Sequence, residues 1–405
     1  MTSPLSGVRV FDMTRVLAGP SATQILGDLG ADVIKIERPG WGDDSRGLGP
    51  PYLTDASGKE TGESAYFLSA NRNKRSVTLN LTNPEGQELA RSLIAQCDVV
   101  LENFRTGSLA QYGLAYGQIK DRFPRLVYCS ITGFGQTGPY AKRAGYDYLV
   151  QGMGGIMSVT GEPDGPPEKV GVGIADLMTG MYSVVAILAA LRHRDATGSG
   201  QYIDMALLDT QVAWLSYVGQ NYLTSGEVPR RRGNQHPNIM PYQVFGAADG
   251  LLILAVGNDA QFERFCTFCG RPEIARDARF ATNSQRLKHR DTLTPIIADL
   301  IAAHPIRYWV EGLTAVNVPC GPINAIDQVF TDPQVEARGL KIAMPHGAVG
   351  GRNVDLIGSP IKMSATPVSY RLPPPSLGEH TDEVLRQFLG LGDADIAGLR
   401  ARGVI

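Results

Sequence analysis

The chain has 405 residues, too many for one ordinary core and enough for two or three domains. Hydrophobic residues make up 43% and charged residues 19%, with a formal net charge of -2, which excludes a sustained basic surface and with it nucleic acid as the first expected partner. The cysteines, Cys97, Cys129, Cys266, Cys269 and Cys320, are odd in number and scattered, against a disulfide framework and for a reducing compartment.

The chain opens MTSPLSGVRVFDM, which enters a strand without a charged, apolar or Arg-rich leader, so a cytoplasmic location is expected. Strands are predicted at Val8–Met13, Asp32–Glu37, Ser76–Leu81, Val99–Asn103 and Leu126–Thr132, with helical patterns between several of them. That alternation marks βαβ units and a parallel sheet. The clearest helix opens on Asn83-Pro84-Glu85, a cap, a first-turn proline and an acid, and runs to about Ala95. A long apolar helix is predicted over Leu177 to Arg192, with Asp176 just before it, and a strand at Gln201–Met205 follows. Thr179, Gly180, Tyr182 and Ser183 interrupt the apolar run, so a buried helix is expected and no membrane partner.

From Gly226 to His236 the composition shifts to Pro, Arg, Gly and Asn, the mark of a linker. The expected organisation is a large α/β domain over 1–225, a linker at 226–239, a small domain at 240–325 with its own strand Leu251–Val256, and a tail at 326–405. That tail passes Cys320-Gly321-Pro322 and Pro373–Pro375, ends in a helix at Thr381–Leu389, and is expected to return to the first domain. The fold class is α/β: a Rossmann-like parallel sheet in the large domain and a smaller α+β domain.

Gly133-Phe-Gly-Gln-Thr-Gly138 spells GxGxxG after a predicted strand, but Pro139 follows and no helix opens on the glycines to hold a pyrophosphate. Nicotinamide binding is not expected. The chain has no GxSxG, HExxH or GxxxxGK[ST] motif, and His193, His236, His289, His304, His346 and His380 are dispersed. Cys266 and Cys269 form a CxxC with no second pair, so buried thiols and no metal are expected. There remains Asp176, in Gly171-Val-Gly-Ile-Ala-Asp176-Leu-Met-Thr-Gly180. By residue type it is a helix cap; the same position suits a nucleophilic carboxylate, since a helix N-terminus favours the ionised form. The residues alone leave both readings open.

An ordered series of motifs resembles the class III (formyl-CoA transferase-like) family of CoA-transferases. The series runs Asp12-Met-Thr-Arg-Val-Leu-Ala-Gly-Pro20, Gly30-Ala-Asp-Val-Ile-Lys-Ile-Glu-Arg-Pro39, Asn71-Arg-Asn-Lys74-Arg-Ser, Glu102-Asn-Phe-Arg105-Thr-Gly, Gly133-Phe-Gly135, Gly145-Tyr-Asp147, Gly-Ile-Ala-Asp176, Val318-Pro-Cys-Gly-Pro322 and Gly378-Glu-His-Thr381. The resemblance implies a nucleophilic Asp176 and a CoA site drawing on Leu17, Ala18, Arg38, Asn71, Arg72, Asn73, Lys74, Asn103, Phe104, Arg105, Arg143, Tyr146 and Asp147. It also implies an interlocked homodimer, acyl-CoA and a small carboxylic acid as partners, and CoA thioesters as substrates rather than a permanently bound cofactor.

Gly42-Asp-Asp-Ser-Arg46 and Gly233-Asn-Gln-His-Pro-Asn further resemble the members that use succinyl-CoA with C4–C6 dicarboxylates. Arg46, His236 or one of Arg230–Arg232 is then expected to hold the spare carboxylate, and Gly233, Asn234 and Gln235 to form a loop over the reacting centre. The sequence departs from the formyl-CoA branch in having Gln111 for a basic residue and a short loop for a glycine-rich one. Alternatives are intramolecular transfer within one diacid, formyl- or oxalyl-type transfer, and an α-methylacyl-CoA racemase. The racemase branch carries His where this chain has Tyr146. From other classes, an NAD-dependent oxidoreductase or a non-catalytic acyl-CoA-binding protein remain as contrasts.

Overall fold

The structure, a computed structural model, describes residues 3–405. It divides into two compact units: the chain up to Ile156 with Val170–Ser216 and Gln334–Ile405, and Met157–Lys169 with Tyr217–Pro333.

The first unit is built on six parallel strands: β1 (Arg9–Met13), β2 (Asp32–Glu37), β3 (Lys74–Thr78), β4 (Val99–Glu102), β5 (Val127–Thr132) and β6 (Tyr202–Ala206). Their order is β3-β2-β1-β4-β5-β6, so the winding reverses between β1 and β4 and opens a crevice beyond the carboxyl ends of those two strands. The helices that matter here are α1 (Ala18–Asp28), α2 (Pro84–Ile94), α3 (Asp147–Met153), α4 (Ile174–Thr197), α5 (Thr381–Leu389) and α6 (Asp393–Ala401). Val10, Val33, Val99 and Val127 pack with Ala22 and Leu26 of α1 and Val184 and Ile187 of α4 on one face. Phe11, Ile34, Val77 and Val100 pack with Leu93 of α2, Val384 of α5 and Leu399 of α6 on the other. Burial on both faces is why the strands read as nearly continuous apolar runs.

Most strands differ from the sequence expectation by one residue at one or both ends, and three larger differences bear on the site and the core. β3 begins at Lys74, not Ser76, because its register with β2 runs from Val33↔Lys74 to Glu37↔Thr78. α4 begins at Ile174, so Asp176 lies inside the first turn rather than before it. A further helix, α6, follows the one expected to be last. α4 is also, by length and composition, apolar enough to cross a membrane, but here it lies against α1 with Ala175, Thr179, Gly180, Ser183 and Ile187 buried.

The second unit holds an antiparallel sheet of Tyr242–Ala247, Gly250–Ala255 and Cys320–Pro322, with helices packed around Phe262, Phe265, Leu293 and Trp309. It reaches beyond 240–325 on both sides and takes in the separate segment Met157–Lys169. Arg231 ties that segment in by donating to the carbonyls of Glu162 and Gly165 at 3.1 and 2.6 Å. Burial pushes the Cys266 and Cys269 thiols up to about 12.

Candidate active site

Beyond the ends of β1 and β4 lies a cleft of about 180 Å3, walled by Arg15 to Ala18, Asn103 to Thr106, Arg143 to Tyr146, and Asp176. The switch in strand order sets its place, and side chains from neighbouring segments fix its walls. Asn103 accepts the Arg15 N–H at 2.9 Å and donates to the Arg15 carbonyl at 2.8 Å. Glu102, buried at the end of β4, accepts the Phe104 N–H at 2.8 Å, and burial raises its carboxyl to about 7. The Arg15 guanidinium lies over the Phe104 ring, 4.9 Å from its centroid.

Asp176 is the third residue of α4. The residue at the cap, Gly173, has no side chain with which to satisfy the first amides of the helix. Asp147, the first residue of α3, does this instead: its Oδ1 accepts the N–H groups of Ala175 at 2.8 Å and Asp176 at 3.3 Å. Gln151, one turn along α3, donates to Asp147 Oδ2 at 2.7 Å and accepts the Val170 N–H at 2.9 Å. The capping role open to Asp176 by residue type therefore belongs to Asp147, and the Asp176 carboxylate faces the cleft. Burial first, and the Asp147 charge second, raise the Asp176 carboxyl to about 7. Among the described residues this poorly solvated carboxylate has no ion pair, and it has no capping duty.

Glycines make the arrangement possible at two crossings. A Cβ on Gly133 would sit 2.5 Å from Gly145 Cα, so these two let the segment after β5 cross the one that delivers Tyr146 and Asp147. A Cβ on Gly180 would sit 2.4 Å from Ser21 Oγ and 2.7 Å from the Ala18 carbonyl, so Gly180 sets how closely α4 approaches α1. Gly133 to Gly138 open no helix; the next one is α3.

Of the residues implied by resemblance, Leu17, Ala18, Asn103, Phe104, Arg105, Arg143 and Tyr146 line the cleft with Asp176, and Asp147 lies directly behind it. Arg38 is exposed, 4.0 Å from Asp44 and over the Trp41 ring. Asn71 to Lys74 are buried and engaged within the fold. Asn71 donates to the Phe67 carbonyl, Arg72 pairs with Asp28, Asn73 donates to Asp28 and the Ser369 carbonyl, and the Lys74 ammonium meets Pro20 O, Asn71 and Asp12. Arg46 is also used internally: it forks onto Glu37, pairs with Glu63 at 2.8 Å, donates to Pro375 O and stacks on Phe67. Its place is structural, since a buried guanidinium needs several acceptors.

Gly233 to His236 belong to the second unit. Gly233 has φ +56° and donates to Gly161 O at 3.1 Å, Gln235 and the His236 carbonyl accept from Arg290, and the His236 ring stacks on Tyr217. With Asn234 they line a concavity of about 1290 Å3 in that unit.

Residue-by-residue reading of the sequence did not single out Arg15, Val16, Asp43, Tyr66, Glu102 or Gln151. Tyr66 lies close enough to Asp176 and Asp147 that, after burial, their charges raise its phenol. Arg15, Val16, Asp43 and Glu102 lie within stretches the motifs cover, but only the tertiary contacts show what they hold.

The chain is 52% identical over 385 residues to the succinate–glutarate CoA-transferase of Agrobacterium fabrum, covering 95% of this chain and 96% of that one. It is 42% identical to the human succinyl-CoA:glutarate CoA-transferase over 402 residues, 99% of this chain and 90% of that one. The crystal structure of a CAIB/BAIF family protein from Brucella suis superposes with a TM-score of 0.84 at 47% identity, covering 96% of this chain and all of that one. The family described as CoA-transferase family III matches residues 5–381, and the chain belongs to that family as a CoA-transferase.

Proposed function

We propose that this CoA-transferase moves CoA from succinyl-CoA to a C4–C6 dicarboxylate, with glutarate the first acceptor to test, through covalent intermediates on Asp176. The observation that carries the reading is the Asp176 carboxylate, freed from capping by Asp147 and facing the cleft between the β1 and β4 ends. The names of relatives at 52% and 42% identity support the donor and acceptor class.

An Asp176 oxygen attacks the thioester carbonyl of succinyl-CoA and expels CoA thiolate, leaving a succinyl-aspartyl anhydride. The thiolate attacks the aspartyl carbonyl, releases succinate and leaves an aspartyl-CoA thioester. The acceptor carboxylate attacks that thioester, again giving an anhydride and thiolate. The thiolate then takes the acceptor's acyl carbon and restores the Asp176 carboxylate. Each step exchanges a carboxylate and a thiolate, so acyl activation is kept throughout and no external base is needed. A serine ester would not preserve it.

The test is intact-mass analysis of the protein mixed with succinyl-CoA, together with CoA exchange into glutarate, malate, itaconate and mesaconate and into the monocarboxylates acetate and butyrate. A mass increment mapped to Asp176 and exchange into at least one diacid are expected. No increment and no exchange would end the proposal; exchange confined to monocarboxylates would remove the diacid part alone.

A further inference from the structure

The turn Thr14 to Val16, between β1 and α1, brings Arg15 and Val16 to one wall of the cleft and is held at five backbone atoms by four side chains, the first being the Thr14 N–H, which Asp12 Oδ1 accepts at 2.9 Å. Lys35 Nζ donates to the Thr14 carbonyl at 2.9 Å. Asn103 takes both polar atoms of the Arg15 backbone. Asp43 Oδ1 accepts the Val16 N–H at 3.0 Å. Under these restraints Val16 adopts φ +70°, a left-handed conformation in which a β-branched residue is an outlier.

Lys35 and Asp43 also pair with each other at 2.7 Å, and both side chains are fully buried. A buried ion pair is poor evidence of stabilisation, because two apolar side chains in its place commonly do as well. What distinguishes this pair is where its other bonds go: one partner takes the carbonyl at the start of the turn, the other the amide at its end. Asp43 Oδ1 also accepts from Ser45 N and Oγ, at 2.9 and 2.8 Å, so the clamp itself is anchored. Burial opposes the charge on each, yet the facing charges outweigh it: Asp43, Asp12 and Glu37 hold Lys35 above its usual range, and Lys35 with the Ser45 and Val16 amides holds Asp43 below its own. The pair therefore stays charged, and the clamp is permanent rather than switchable.

We propose that Lys35 and Asp43 are positioning residues for CoA transfer, holding Val16 left-handed so that the Val16–Ala18 wall is set against Asp176 before the thioester arrives. The inference rests on the reading of Asp176 as the nucleophile. The Asp176 carboxyl group takes part in every step, as nucleophile, as the carbonyl attacked or as leaving group, so a displaced wall lowers the rate of reaction more than the affinity for the CoA ester.

The experiment compares Asp43→Asn with Asp43→Asn/Val16→Gly in the full-length protein. An asparagine has one acceptor oxygen where Asp43 uses two, so either Lys35 or the Val16 and Ser45 amides lose their partner. Asp43→Asn is expected to lower kcat at least about tenfold while KM for succinyl-CoA stays within about threefold. Glycine is at ease at φ +70°, so Val16→Gly in that background is expected to recover about threefold or more of kcat. A merely structural pair predicts the reverse: a lower melting temperature, unchanged kcat per folded molecule, and no rescue by glycine. Wild-type kcat in folded Asp43→Asn, or no recovery in the double variant, overturns the proposal. If Asp43→Asn does not fold, Lys35→Met/Asp43→Leu removes both charges together. That variant folded with wild-type kcat overturns the proposal, as does its failure to fold, which would make the pair a folding determinant. The Asp176 adduct in the wild type separates the two layers: its absence removes the nucleophile reading, and its presence beside an unaffected Asp43→Asn removes only the positioning role.

Discussion

The proposed mechanism needs the Asp176 carboxylate ionised in a place that resists ionisation. Burial and Asp147 raise it to about 7, so the rate of CoA transfer should climb with pH from about 6 to 8 as the proton is lost. Asp147→Asn removes the like charge but keeps an oxygen to accept the Ala175 amide, so the acid limb of kcat/KM should move to lower pH; a pH–rate profile with an unmoved limb counts against this account. Stability runs the other way. Between about pH 4 and 7 the folded chain keeps on Asp176 a proton that the unfolded chain has released, so this group's contribution to stability falls as pH rises through that window. Asp176→Asn should abolish the covalent adduct, yet melt higher than wild type at pH 8, by ~2 kcal/mol at about 1.4 kcal/mol per unit discounted for partial exposure. The gap should close at pH 4, which thermal melts at both pH values check. The motif marks Asp176 as the candidate nucleophile, but does not show its freedom from capping. That depends on Asp147, 29 residues earlier, crossing at Gly133 and Gly145. Arg46, Arg72 and Lys74 read as ligand contacts because a basic side chain in a motif looks available; only the sheet shows the buried acids that use them.

Among the elements, strands buried on both faces were the most legible, and β2 matches its predicted span, Asp32–Glu37. The sequence pattern places the start of β3 two residues late because Lys74 and Arg75 look like a polar turn. In the sheet they are buried and paired, Lys74 with Asp12 and Arg75 with Asp32. The α1–α4 contact depends on a residue that sequence reading took for a break in an apolar run. Gly180→Ala gains ~1 kcal/mol of helix propensity. Against that, the added Cβ meets the Ala18 carbonyl at 2.7 Å, and backbone cannot swing aside as the Ser21 hydroxyl can. Overpacking of this kind costs ~1–3 kcal/mol, so a net loss is expected. Because α4 carries Asp176 and Ala18 opens α1, the same variant should also lower kcat. Denaturant melts and CoA-exchange assays check the two halves separately, and a stabilised variant would show that α4 tolerates a wider spacing.

For the molecule as a whole, the first unit is assembled from three stretches of chain, and its last stretch closes the core rather than decorating it. Ile396 and Leu399 of α6, then Val404 and Ile405, lie in the same buried cluster as Phe11, Ile34 and Val77 of the central strands. The Asn80 N–H donates to the Val404 carbonyl at 2.8 Å, which extends the reach of β3 toward the tail. The helix at Thr381–Leu389 has a sharply one-sided apolar face; α6, equally long, has a much weaker one, and its role appears only in what it covers. Removing the chain after Leu391 deletes four buried apolar side chains, whose burial is worth ~1.5–3 kcal/mol each, an upper estimate of ~6–12 kcal/mol. Domains are stable by only ~5–15 kcal/mol, so the truncated protein should show no cooperative unfolding transition. Arg402→Ala makes the contrast. It breaks the exposed ion pair with Glu85, which solvent screens, and should melt close to wild type. Calorimetry of the two variants side by side decides whether the tail acts through its buried side chains or through its surface charges.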